Sequence, residues 1–284
     1  MEDIYEAIVR YRREGRRAAL ATIVSVRGSA PSVESAKMLV GETGIVMGTV
    51  GGGCVEADVC QVARAVMAEG KPRTLSFDLK ENPNFDTGLV CGGSLEIFVE
   101  PLLPTPLVYV FGCGHVGLNV YKAARLAGFD VVVVDDRDEF ANAERFPEAR
   151  EVHADPMDTV FSRIAPQPHA FIVIVTRGHR NDLQVLRWAL DTSARYIGMV
   201  GSKRKVLTLR RELEKEGVPA AKLGLVHAPI GLEIGATTPE EIAISVVAEL
   251  IGIRRGAEAL NHKRLVSKPT LEAVAPAPVA ASAG

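Results

Sequence analysis

Apolar positions along this chain keep two different periods. Residues 107–111 (LVYVF), 131–134 (VVVV), 171–176 (FIVIVT) and 196–200 (YIGMV) are short unbroken runs rich in strand formers. Runs of that length and composition are expected of strands buried on both faces. Residues 115–127 between the first two keep a helical period, with Val116, Val120, Ala123, Ala124 and Ala127 on one side and Gly128 as the stop. A short strand is predicted at 151–154, a short helix at 157–164, and helices from 176–182 to Leu190 and from 201–205 to Glu216. Another starts at Thr238, with that residue as N-cap and Pro239 in the first helical position.

Before residue 100 the pattern is more mixed. Residues 2–17 are helical in period, with Ile4, Ala7, Ile8 and Tyr11 on one face and Arg10, Arg12, Arg13, Arg16 and Arg17 on the other. That basic side reads as a solvated face or as a docking surface for an acidic partner. Strands are expected at 18–26, 37–40, 45–50, 73–79 and 94–99, the second and third forming a hairpin around Gly41-Glu42-Thr43-Gly44. A helix over 55–69 stops at Gly70.

Gly112, Gly114 and Gly117 follow the first buried run with G-x-G-x-x-G spacing, and Asp135 ends the second run. The first glycine allows a tight turn, the second lets a phosphate approach the backbone, and the third lets helix pack on strand. An acid about 20 residues on can meet a ribose hydroxyl. Strand, turn, helix, strand and acid together predict a Rossmann βαβ unit. The expected fold is α/β, a C-terminal Rossmann-like doubly wound parallel sheet preceded by a smaller α+β N-terminal domain. The boundaries are 1–100 for the first domain, 101–106 for a proline-rich linker, 107–262 for the Rossmann-like domain and 263–284 for a disordered Ala/Pro-rich tail.

Composition narrows the classes. The 284 residues are 47% hydrophobic and 24% charged with net charge −2, which argues against a protein that binds nucleic acid by charge. No apolar run reaches the ~18–20 residues that cross a bilayer, and the start is amphipathic, unlike a signal peptide. Cys54, Cys60, Cys91 and Cys113 form no CxxC pair, which suits a reducing cytoplasm.

Five places could carry chemistry. Gly51-Gly52-Gly53-Cys54-Val55-Glu56 puts glycine amides and a cysteine at a helix N-terminus, where an anion can be held and a thiolate is favoured. Cys91-Gly92-Gly93 is a second such loop. Each also reads as an ordinary turn with a small buried thiol, whereas Cys60, in mid-helix, reads as core. Gly201-Ser202-Lys203-Arg204-Lys205 offers a hydroxyl, amides and cations to an anion, or is a helix start with a solvated basic face. His179 reads as a general base, a ligand or a hydrogen-bonded loop histidine. Asp135 reads as a ribose acceptor or the cap of a neighbouring loop.

These stretches, with residues 111–117 (FGCGHVG), 196–205 (YIGMVGSKRK) and 229–243 (PIGLEIGATTPEEIA), resemble the XdhC/CoxI family over about residues 2–255. Members are accessory factors for molybdenum hydroxylases such as xanthine dehydrogenase and carbon monoxide dehydrogenase. The resemblance implies a chaperone without turnover that binds the molybdenum cofactor (molybdopterin) as cargo and assists its sulfuration. It then delivers the cofactor to a hydroxylase, with a cysteine desulfurase as second partner and a homodimer as the expected assembly. It puts Cys54 and Cys91 near the metal, and Gly52, Gly53, Glu56, Gly92, Gly112, Gly114, His115, Gly117, Asp135, His179, Ser202 and Lys203 around the cofactor. Residues 32–35 (SVES) and 176–182 (TRGHRND) depart from the family's pattern. The alternative is an NAD(P)-dependent oxidoreductase with NAD or another nucleotide in the Rossmann cleft, Asp135 on the ribose and His179 moving a proton.

Overall fold

The computed structural model describes residues 2–30, 32–79 and 93–257. The chain divides into two compact units, Met1–Thr105 and Pro106–Gly284.

In the first unit, α1 (Ile4–Arg13) starts at an Asp3 N-cap closed by Glu6 into a capping box. It is followed by β1 (Ala18–Arg27), the hairpin β2 (Lys37–Gly41) and β3 (Gly44–Gly48), α2 (Gly53–Glu69), β4 (Arg73–Asp78) and β5 (Ser94–Leu102). The sheet is antiparallel, in the order β3-β2-β1-β5-β4. The two-residue period of β1 divides its side chains between two helices. Ala19, Ala21 and Ile23 join Val55, Val59, Ala63 and Val66 of α2, while Ala18 joins Ala7 and Tyr11 of α1. β5 runs two residues into the segment expected as linker, because Pro101 and Leu102 pair with Ala19 and Ala18 of β1.

The second unit contains β6 (Leu107–Phe111), α3 (His115–Leu126), β7 (Asp130–Val134), β8 (Glu151–His153), α4 (Met157–Phe161), β9 (Phe171–Ile174), α5 (His179–Ala189) and β10 (Tyr196–Met199). It continues with α6 (Lys203–Lys215), α7 (Ala220–Leu223), β11 (Val226–His227) and α8 (Pro239–Arg255). Its sheet is parallel in every pair, ordered β11-β10-β9-β6-β7-β8. Counted from β6 this is the 3-2-1-4-5-6 order of dinucleotide-binding folds, reversing direction between β6 and β9. Leu107, Tyr109, Phe111, Ile172 and Ile174 face a core with α4, α5 and α6. Val108, Val110, Val131, Val133 and Val173 face a second core with α3 and α8. Burial on both faces explains why these strands read as unbroken apolar runs.

α8 has the expected Thr238 cap and Pro239, with Glu241 completing a capping box. A buried pair ties it to the sheet edge: Glu249 Oε1 lies 2.7 Å from His227 Nδ1, and its Oε2 accepts the Gly231 N–H at 2.5 Å. Neither β11 nor this pair has a local signal in the sequence. Its members lie 22 positions apart.

The three turn glycines differ in what a side chain would meet. A Cβ on Gly117 would lie 1.8 Å from the Gly112 carbonyl oxygen, and one on Gly112 would lie 2.4 Å from that of Val175. Gly112 also has φ +107°. A Cβ on Gly114 would meet nothing within 4 Å. Gly117→Ala is therefore expected to cost about 3 kcal/mol or more in chemical denaturation, since backbone would have to move. Gly114→Ala should cost no more than about 1 kcal/mol, the difference between glycine and alanine at an N-cap.

Candidate functional site

In an open parallel sheet the crevice lies beyond the carboxyl ends of the strands at the reversal of order. Here that is the turn from Phe111 to His115 beside the end of β9. Val175 donates its N–H to the Phe111 carbonyl, and Gly112 donates to Val134, each at 2.8 Å, so the turn is pinned to both neighbouring strands. Gly114 is the N-cap of α3 and carries no side-chain cap. The first N–H groups of a helix have no intrahelical acceptor and carry the positive end of its dipole. At this helix they lie beside the one turn glycine with open space over its Cα. His115 follows it and is exposed.

Asp135 locks the same turn from the other side. Its Oδ2 accepts the Cys113 N–H at 2.8 Å and Arg137 Nη2 at 3.0 Å. Its Oδ1 accepts the Arg137 N–H at 3.2 Å and Arg137 Nε at 2.8 Å. A carboxylate has about four acceptor positions, and all are taken. The side chain is 4% exposed. Burial pushes its carboxyl up, but the Arg137 guanidinium and the Cys113 amide outweigh that and hold it below the usual carboxylate range. Asp135 thus caps the glycine turn.

The connection from β7 to β8 completes the lock. Arg145 Nη2 donates to the Cys113 carbonyl at 3.0 Å, so Cys113 is held through both its N–H and its carbonyl. The Arg137 guanidinium lies 3.8 Å from the centre of the Phe140 ring, and that of Arg145 lies 5.3 Å from it. Phe146 packs edge-on against Tyr121 of α3, whose hydroxyl accepts the Glu148 N–H at 2.9 Å. Burial first, and then the Asp135 charge, push the Cys113 thiol up to about 12, so it is an inert core group. Sequence reasoning passed over Arg137, Phe140 and Arg145; the signal was an arginine two residues after the acid.

The neighbouring loops are largely tied to each other. Asp182, fully buried in the first turn of α5, accepts Thr176 Oγ1 at 2.7 Å and pairs with Lys205 of α6. Ser202 caps α6, its hydroxyl accepting the Lys205 N–H at 3.3 Å. His179 Nε2 lies 2.9 Å from Glu212 Oε2 on α6, which makes it a bridge between helices. Arg177, Arg180, Lys203 and Arg204 are exposed.

In the first unit, Gly51, Gly52 and Gly53 have φ +121°, +79° and +59°, backbone that favours glycine. Cys54 follows them, exposed in the first turn of α2. The anion expected at this loop is supplied in part by the chain itself. Glu56 Oε1 accepts Thr49 Oγ1 at 2.5 Å, the Gly52 N–H at 3.2 Å and the Val50 N–H at 3.3 Å. Cys60 is half-buried against the α2 core, and burial raises its thiol. Cys91 and Gly92 lie outside the described residues. Among the described residues no cluster of three or more His, Cys, Asp and Glu could hold a metal ion, and no helix is long and apolar enough to cross a membrane.

Comparison with known proteins gives a consistent family. The XdhC Rossmann domain model matches residues 108–250, and the XdhC and CoxI family model matches 11–78. The uncharacterized protein YqeB of Escherichia coli is 35% identical over 84% of this chain, which spans only 44% of that relative's length. A protein of Bacillus subtilis named as a probable xanthine dehydrogenase component is 24% identical over 84% of this chain and 93% of the relative. The molybdenum cofactor insertion chaperone PaoD of E. coli is 26% identical over 89% and 90%.

Asp135→Asn is expected to cost about 2 kcal/mol at pH 7, because it removes the buried charge that accepts from Arg137 and the Cys113 amide and leaves the part-exposed Arg137 with Asp136 at 3.8 Å. The folded pKa of Asp135 is depressed, so its contribution is full above the unfolded value near 4 and is lost as pH falls through the folded value. Denaturation midpoints of the native and Asp135→Asn proteins should differ at pH 7 and converge as pH falls through the depressed folded value.

Proposed function

We propose that this chain, which belongs to the XdhC and CoxI family, is an accessory protein of molybdenum enzymes that holds the molybdenum cofactor as cargo before its insertion into a target enzyme. The observation that carries this reading is the division of labour in the glycine turn. Gly112 and Gly117 are required by packing, whereas Gly114 has open space over its Cα beside the positive end of α3. A methyl there would take up open space that the fold does not need. Molybdopterin carries a phosphate suited to such amides.

Its dithiolene-bound metal suits soft sulfur ligands. Cys54, exposed among backbone that only glycine adopts easily, is the described cysteine best presented to it; Cys91 is assigned the same role from family resemblance alone. Glu56 holds the loop that presents Cys54. Gly52, Gly53 and Gly92 belong to these loops, and His115, Ser202 and Lys203 border the crevice of the second unit. The target is a molybdenum hydroxylase of the xanthine dehydrogenase or carbon monoxide dehydrogenase type. A cysteine desulfurase supplies sulfur to the held cofactor, and the working form is a homodimer. The names of the B. subtilis and E. coli relatives support the link to molybdenum enzymes. An NAD(P)-dependent oxidoreductase draws no support from Asp135, whose acceptors are filled, or from His179, which bridges to Glu212.

Purified protein mixed with isolated molybdenum cofactor in reducing, oxygen-free buffer and then desalted should retain molybdenum and pterin close to one per chain. Cys54→Ala should lower the retained molybdenum, and Gly114→Ala should weaken retention about tenfold while leaving the protein folded. No retention by the native protein contradicts the proposal.

A further inference from the structure

The Asp135–Arg137 pair bears on which ligands the Rossmann crevice can take, a question that rests on the reading of that crevice as a binding site. A carboxylate at the end of the second strand ordinarily accepts the two hydroxyls of an adenosine ribose. The diol needs one open acceptor on each carboxylate oxygen. In this protein the Arg137 side chain fills those two positions, Nε on Oδ1 at 2.8 Å and Nη2 on Oδ2 at 3.0 Å. Main-chain N–H groups of Arg137 and Cys113 fill the others. The guanidinium is a planar fork matched to a carboxylate, and the Phe140 ring beneath it fixes its plane.

We propose that Arg137 is a specificity residue that acts as a built-in occupant of the ribose position, so that the crevice refuses nicotinamide dinucleotides. The glycine turn is thereby reserved for a phosphate-bearing ligand that brings no ribose diol to Asp135. The surroundings act in the same direction. Asp136, Asp138 and Glu139 flank Arg137, and Arg137 Nε lies 3.8 Å from Asp136. With Asp135 they outnumber Arg137 and Arg145 on this connection, so the arginine cannot serve as a seat for a ribose 2′-phosphate either. The open position at Gly114 is untouched by the Asp135–Arg137 pair, since Asp135 takes the Cys113 N–H, in the peptide between Gly112 and Cys113.

Replacing Arg137 by methionine keeps an unbranched stem over Phe140 and releases one acceptor on each oxygen of Asp135. Full-length protein would be titrated with NADH and NADPH by fluorescence, with thermal melts to verify folding. The native protein should show no saturable binding of either. Arg137→Met should bind NADH at least tenfold more tightly than the native protein, and Asp135→Asn/Arg137→Met should lose that gain. Saturable NADH or NADPH binding by the native protein would overturn the proposal, as would a folded Arg137→Met variant that gains nothing. The titration uses no molybdenum cofactor, so its failure is separate from a failure of cofactor retention.

Discussion

The second unit is organised by a close approach between two pieces of backbone. The Gly112 carbonyl occupies the space where a side chain at position 117 would begin, and Gly112 itself lies against the end of β9. Only with hydrogen at both positions can α3 start directly over the point where the sheet reverses its order. The N-terminal amides of α3 and the opening above Gly114 follow from that placement. The buried Asp135 carboxylate then fixes the turn against β7 through the Cys113 amide, and Arg145 holds the carbonyl of the same residue. Packing makes the turn tight, and electrostatics keeps it in one shape.

Much of this architecture was legible in the sequence because it is encoded locally. Unbroken apolar runs marked strands buried on both faces, the glycine spacing marked the turn, and Thr238 and Pro239 marked the start of α8. The chemistry at the crevice was less legible, because the partners of its polar groups come from distant positions. His179 meets Glu212 from 33 residues away, and Asp182 recruits Lys205 from the next helix. Spacing alone left Ser202, Lys203, Arg204 and Lys205 open as an anion cluster or as a helix start with a solvated basic face. In the fold Ser202 caps its own helix and Lys205 neutralises a buried acid, which leaves Lys203 and Arg204 exposed. Asp135 had two open readings from sequence; in the fold it accepts from Arg137 and from the Cys113 amide.

The first unit repeats the theme with different parts. Three successive glycines with positive φ lead into α2, and Glu56 from the first turns of that helix reaches back to hold them. An acid that stabilises the loop also occupies amides that would otherwise be open to an anion, and Cys54 beside them is exposed. Each unit, taken by itself, has one such feature: an exposed thiol in the first and open space over Gly114 in the second. The family match over residues 108–250 and 11–78 covers both features.

The most direct measurement is a crystal structure of the protein soaked with molybdenum cofactor under reducing, oxygen-free conditions. The account predicts the pterin phosphate within hydrogen-bonding distance of the amides that follow Gly114, with Asp135 still joined to Arg137 and the Cys113 amide. A phosphate bound away from this turn, or an Arg137 displaced from Asp135 by the ligand, would contradict it.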